Sequence, residues 1–504
     1  MSRLQLFVVL ALLCLVYHVA TLPNHYNEVH YYYGDTGSSL MAAELMDRGA
    51  TPWLDFNYYY GFGTLWVNRV WYGVVGYTPW SNHLLNMLCR LLLAWGTADL
   101  MLSMGWHRSK PLLGLVLLSS PYLFCFLWFT TAHTMESALV ILSLSLALKR
   151  RYTGALFLAT LALLFKPALA YFVGLFLILL MFIRSDAVGW RQRTWEVARQ
   201  MLPSLILLLV YSGYVCGAWG WQVYLHTLLP LSAMQGYQEV SHGFFTQGSL
   251  FWLPPFSDLP QLIKHYLLTP AGLWVAGTLY LLHQTSLAIV RGLSTRTATL
   301  QQICLVLCGL LHVIFILVLF GNEWSWLYEP YLLVFGIAAA LSQRGHISRY
   351  FLPVLMVLTV CSLVPTVTNS TQNWKKKQSF PDRHGLFMAT EYHQELEQIE
   401  QLAKEQVLLF VTKQGAPAVL LGVRGVPTWS YLRLPAREWE RHGFQQEMSR
   451  AEIMVFPTPY VPMIEWPEVA EHLKGFQLAR TTPHFQYWFK PGARQDLEFA
   501  VPRK

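Results

Sequence analysis

Long apolar runs dominate the first 366 residues and set the elements they predict. A bilayer crossing takes about 20 apolar residues, range roughly 17–25. Runs of that kind lie at 4–20, 82–105, 111–130, 135–148, 152–167, 168–183, 201–217, 271–290, 301–320, 328–343 and 350–366. The stretch 62–78 is aromatic and amphiphilic and contains Asn68 and Arg69. It predicts a helix lying on the membrane surface, with a twelfth span as the alternative. Two neighbouring runs are short. One ends at Lys149-Arg150-Arg151, the other at Lys166-Pro167. A proline inside an apolar run ends or kinks the helix. Broken spans expose backbone polar groups, tolerated at membrane depth only where protein or a cavity meets them.

After residue 366 the pattern changes. Residues 367–504 hold 17 of the 36 Lys and Arg and 15 of the 28 Asp and Glu. A polar linker is expected over 369–385, then an amphipathic helix from Glu391 to Lys404 and a buried strand from Val407 to Val411. A helical stretch from Ala436 to Arg450 precedes a strand at Ile453–Phe456, and strands at Gln477–Arg480 and Gln486–Phe489 close the chain. The predicted architecture is a polytopic α-helical membrane protein of about 11 spans, residues 1–366, with an extramembrane α/β domain, 367–504.

Composition agrees. Of 504 residues, 54% are hydrophobic and only 13% charged, against about 25% charged in an average soluble chain. The 20 Trp and 26 Tyr suit water–lipid boundaries. The net charge of +8 is spread along the chain, so a nucleic-acid partner is not expected. With 62–78 kept off the span count, 14 of the 19 basic residues before 367 fall on one side and 10 of the 13 acidic residues on the other. Lys/Arg-rich short loops stay cytoplasmic. The N-terminus is therefore expected inside, with 21–81, 218–270, 321–327 and 367–504 outside. The seven cysteines sit in apolar runs with no metal or disulfide spacing.

Candidate chemistry gathers in the first outer loop, 21–81. It contains Tyr31-Tyr32-Tyr33-Gly34-Asp35-Thr36-Gly37, then Met41 to Met46, Arg48-Gly49, and Asp55-Phe56-Asn57-Tyr58-Tyr59-Tyr60-Gly61-Phe62-Gly63. A carboxylate at such a boundary can serve as general base toward a hydroxyl. Tyr58, Tyr59 and Tyr60 can line a sugar-sized cleft. The plain alternative is an acidic loop with interfacial aromatics.

These residues and the layout of 1–185 resemble the GT-C fold glycosyltransferases, a superfamily that includes protein mannosyltransferases and aminoarabinose transferases of lipid A. The resemblance implies a polyprenyl-phosphate-linked sugar donor, a glycan, lipid or protein acceptor, and inverting transfer. Asp35 stands where that family keeps its catalytic aspartate. Asp55 to Leu65 matches the segment leading into the surface helix, Lys166-Pro167 resembles a family Lys-Pro pair, and Glu329 to Leu333 resembles the start of a late helix. Thr36 replaces a second carboxylate, and Gly61-Phe62-Gly63 replaces Lys-Pro-Pro. That leaves Arg69 or Lys166 to hold the donor phosphate. Some members use a divalent metal; no ligand cluster here demands one, and no other cofactor is expected.

Further candidates are weighed on their own. Lys166 either meets a phosphate or snorkels to the boundary. Arg69 is a phosphate ligand or a surface-helix anchor. His133 and Glu136, at the outer end of a short span, contact a donor sugar or cap the helix. Asp55, Glu323 and Glu329 are sugar-wall candidates, the last two beside Trp324 and Trp326. The expected function is transfer of a sugar to a hydroxyl acceptor on the outer face of a bacterial inner membrane. The competing classes are a flippase for a lipid-linked saccharide, with Asp99 and Lys166 marking its pathway, and a non-catalytic assembly subunit.

Overall fold

The structure is a computed structural model that describes residues 2–25, 35–47, 49–52, 58, 60–104, 131–167, 169–228, 258–268, 270–295, 300–318, 336–337, 346–376, 390–405, 407–412, 428–430, 448–458 and 467–493. The helices are α1 Arg3–His25, α2 Asp35–Asp47, α3 Phe62–Val75, α4 Pro79–Ser103, α5 Thr131–Leu148, α6 Tyr152–Phe165, α7 Leu169–Arg184 and α8 Trp190–Trp219. They continue with α9 Trp221–Leu228, α10 Leu259–Leu268, α11 Pro270–Thr295, α12 Leu300–Val318, α13 His346–Lys376, α14 Thr390–Glu405 and α15 Pro467–Leu473. Four described stretches are long and apolar enough to cross a membrane: Arg3–Ala20, Pro79–Ser103, Trp190–Trp219 and Gly272–Arg291. Four shorter apolar helices lie within α5, α6, α7 and α12.

Boundaries follow the pattern where proline or charge stops a run. α6 ends at Phe165 as Lys166-Pro167 requires, and the aromatic stretch 62–78 contains a helix, α3. They differ where polar residues continue a helix. α8 begins at Trp190 instead of 201, and α13 runs to Lys376 through the segment expected to be a linker. Lys, Arg, Glu and Gln are good helix formers, so a helix need not stop where hydrophobicity does. The expected spans 111–130 and all but 336–337 of 328–343 lie outside the described residues.

The chain divides into two compact units. The first holds Met1–Thr21, Tyr59–Thr64 and Asn86–Asn369; the second holds Leu22–Tyr58, Leu65–Leu85 and Ser370–Lys504.

In the first unit, α5 and α6 form an antiparallel hairpin turned at Lys149–Arg151, with Arg150 in the left-handed region (φ 58°). Ser143 Oγ donates to the Ala155 carbonyl across the pair at 2.7 Å. At the turn end, the buried Asp99 carboxylate accepts from Ser145 Oγ at 2.5 Å and pairs with Lys149 and Arg3. The Arg3 guanidinium also lies over the Trp95 ring, 5.1 Å from its centre. The start of α1 and the ends of α4 and α5 therefore share one end of this unit.

In the second unit, five strands form one sheet: β1 Leu408–Thr412, β2 Thr428–Ser430, β3 Ile453–Pro457, β4 Gln477–Thr481 and β5 Phe485–Phe489, in the order β2-β1-β3-β5-β4. β2, β1 and β3 pair in parallel; β3, β5 and β4 pair antiparallel. β3 is buried along its whole length, as its unbroken apolar sequence predicts for a central strand. Met454 and Phe456 pack with Met448, Val469, Leu473 and Phe476, so α15 covers that face. Glu395 of α14 accepts from Thr482 Oγ1 at 2.6 Å and meets His484 Nδ1 at 3.1 Å, which ties α14 to the β4–β5 turn.

Candidate functional site

The site is built on the break between α6 and α7. Lys166 follows the last residue of α6 and is extended (φ −147°, ψ 103°), as the residue before a proline prefers. Its N–H still reaches the Ala162 carbonyl at 3.0 Å. Pro167 is buried, and the chain resumes helical form at Leu169.

A break frees backbone groups that must find partners. The Phe165 carbonyl accepts from the Gly61 N–H at 2.8 Å and from Thr64 Oγ1 at 2.9 Å. Gly61 can come this close because it has no Cβ; one added there would collide with the Leu164 carbonyl. At Gly63 an added Cβ would stand 2.9 Å from the same oxygen. The Gly61-Phe62-Gly63 sequence is thus a backbone approach to the end of α6. Phe62 fills the space beside it, with its ring 4.6 Å from that of Trp219.

The Lys166 side chain turns to His133, with Nζ 3.1 Å from Nδ1. An ammonium only donates, so Nδ1 accepts and the imidazole proton belongs on Nε2. The edge of Tyr60 meets His133 with ring centres 5.3 Å apart. Ser137 Oγ donates to the His133 carbonyl at 2.6 Å. One turn along α5, Glu136 is fully buried, and neither carboxylate oxygen has a hydrogen-bond partner. The Lys166 charge acts on Glu136 and the Ala170 N–H at the start of α7 faces it. Tyr60, His133, Glu136 and Lys166, far apart in sequence, converge here.

Three other candidates belong to the second unit. Arg69 Nε donates to Asp47 Oδ1 at 2.6 Å, and Tyr77 bonds the same carboxylate, so Arg69 fastens α3 to the end of α2. Tyr58 is buried with its hydroxyl 3.3 Å from Ser39 Oγ. Asp35 is the first residue of α2. Asp55, Tyr59, Glu323 and Glu329 lie outside the described residues. Two residues escape the sequence reading. Thr64 has no local signal, because its partner is 101 residues away. Asn68 is buried with both side-chain polar atoms unpartnered; its spacing of four from Thr64 and Tyr72 is the signal that marks it. Among the described residues, no group of three or more His, Cys, Asp or Glu converges, so they build no cluster for a divalent ion.

The helices and this layout define a GT-C fold. A solved structure with that fold is ArnT from Cupriavidus metallidurans in the apo state, an aminoarabinose transferase; the likeness covers 96% of this chain and 97% of that one, with a TM-score of 0.56 and 14% identity. A weaker match is the arabinofuranosyltransferase AftD from Mycobacteria, with a TM-score of 0.46 and 12% identity over 98% of this chain and 40% of that one. No protein-family model and no curated protein matches the sequence.

Proposed function

We propose that the chain is an inverting membrane glycosyltransferase. It moves a sugar from a polyprenyl-phosphate-linked donor to a hydroxyl acceptor at the outer face of a bacterial inner membrane, with residues 367–504 on that face. The observation that carries this reading is Lys166, held against His133 at a break between two apolar helices. An ammonium at membrane depth costs roughly 2.5–3.5 kcal/mol on insertion scales; a donor phosphate offsets that. The likeness to the fold of an aminoarabinose transferase supports sugar transfer.

In this reading Asp35 takes the proton of the acceptor hydroxyl. The acceptor oxygen bonds the anomeric carbon as the bond to the phosphate oxygen breaks, and the phosphate leaves with the electron pair. Lys166 steadies the charge that develops there. Tyr60 and Glu136 face the donor sugar, with Tyr59, Asp55, Glu323 and Glu329 as the remaining wall. The acceptor is a glycan, lipid or protein.

The test is purified protein supplied with a radiolabelled polyprenyl-phosphate sugar. Sugar transfer supports the reading. Lipid translocation without transfer points to a flippase, and neither to an assembly subunit. Asp35→Asn is expected to lower kcat about 10²–10⁴-fold. A variant keeping more than about a tenth of kcat removes Asp35 as the base. Lys166→Met is expected to raise donor KM roughly ten- to a hundredfold, the loss of one charge-assisted contact.

A further inference from the structure

We propose that Thr64 is a positioning residue that aims Lys166, an inference resting on Lys166 as the phosphate ligand. The Phe165 carbonyl and the Lys166 N–H belong to one peptide unit, which is planar. Both ends of that plane are held: the N–H by the Ala162 carbonyl at 3.0 Å, the C=O by the Gly61 N–H at 2.8 Å and Thr64 Oγ1 at 2.9 Å. Pro167 confines Lys166 to extended backbone on the other side, and φ −147°, ψ 103° is that conformation. The direction in which the lysine side chain leaves the backbone is therefore fixed before its tip meets any ligand.

Two of these constraints are local to α6 and its break. The other two come from Gly61, just ahead of α3, and from Thr64 in its first turn. Gly61 lets the loop touch the helix end, and Thr64 makes the contact directional. Thr64 is fully buried, so its hydroxyl is not shared with water. A merely packing residue at that position would need the methyl group and not the oxygen. The sequence Gly61-Phe62-Gly63-Thr64, at the start of α3, thus contributes no cation of its own; it orients one that follows a different helix.

The experiment uses the full-length purified protein with a polyprenyl-phosphate sugar donor. Thr64→Val keeps shape and removes the donor hydroxyl; Thr64→Ser keeps the hydroxyl. Gly61 still holds the Phe165 carbonyl in both variants. Thr64→Val is expected to raise donor KM roughly three- to tenfold, the scale of one neutral hydrogen bond, with acceptor KM unchanged. Thr64→Ser is expected to restore donor KM. The double variant with Lys166→Met is expected to be no worse than Lys166→Met alone, because Thr64 acts through that lysine. Unchanged donor KM in folded Thr64→Val, failure of Ser to rescue, or additive losses in the double variant would each overturn the proposal while leaving Lys166 in its role. Unchanged donor kinetics in Lys166→Met would instead overturn the phosphate reading and this inference with it.

Discussion

Among the described residues, the first unit contains two buried carboxylates that are treated in opposite ways. Asp99 has a serine hydroxyl, a lysine and an arginine around it. Glu136 has a cation nearby but no hydrogen-bond partner on either oxygen. Burying a charge is tolerable when it is paired and hydrogen-bonded, and expensive when it is not. The Asp99 carboxylate is what a structural fastening looks like: Oδ2 is hydrogen-bonded, Oδ1 lies against Arg3, and three helix ends are gathered. The unsatisfied one sits where two helices break and a lysine meets a histidine. The fastening at Asp99 also removes the main reason for reading that residue as part of a transport pathway.

The comparison can be broken at its structural end first. Asp99→Asn is expected to lower stability by about 1–3 kcal/mol, read as an earlier thermal unfolding transition, while the folded fraction keeps its transfer rate. Arg3 and Lys149 are partly exposed and can turn to water, which keeps the loss below that of a fully buried pair. A stable variant with lost activity would move Asp99 into the chemistry. Glu136→Gln sharpens the opposite end. It replaces a buried carboxyl group whose oxygens have no hydrogen-bond partner by a group of the same shape, so stability is expected to stay within about 1 kcal/mol. Donor KM is expected to rise roughly tenfold. Marked destabilisation with normal donor kinetics would make Glu136 a fastening like Asp99, serving the start of α7. The smallest effect is expected from Arg69→Met. Its ion pair with Asp47 is partly exposed on both sides, so the change should be about 0–1 kcal/mol, with donor KM unchanged. A large rise in donor KM would return Arg69 to the phosphate.

What the sequence revealed depended on how local the cause was. The end of α6 was legible because Lys166-Pro167 stops a helix within two residues. The helix α3 was legible from its aromatic, amphiphilic pattern, and α14 and β3 from their periodicity and apolar run. β2 was not, because a strand of three residues, Thr428–Ser430, carries too little pattern to stand out and exists through pairing with β1. α13 hid its true end because the polar residues Asn369 to Gln372 can stay helical while hydrophobicity fades. In the site, Lys166, His133 and Glu136 could each be singled out as ionisable groups among apolar residues. Their convergence could not, since it is made by tertiary packing of α5 against the α6–α7 break. The hydrogen bond from Thr64 to Phe165 is the extreme case: nothing within a dozen residues of either partner announces it.

The glycine at the start of this contact has a consequence for how the sequence can drift. At Gly73 an added Cβ would meet nothing, so mutational scanning there should yield a graded profile set by helix preference and lipid exposure. At Gly61 the obstacle is a backbone carbonyl, which no choice of side chain can move aside. Alanine should then be as poorly accepted as leucine or lysine, and the profile should be flat and low. Such a column would resemble that of a catalytic residue, although Gly61 contributes no chemistry; it would record only the absence of room for a single carbon atom.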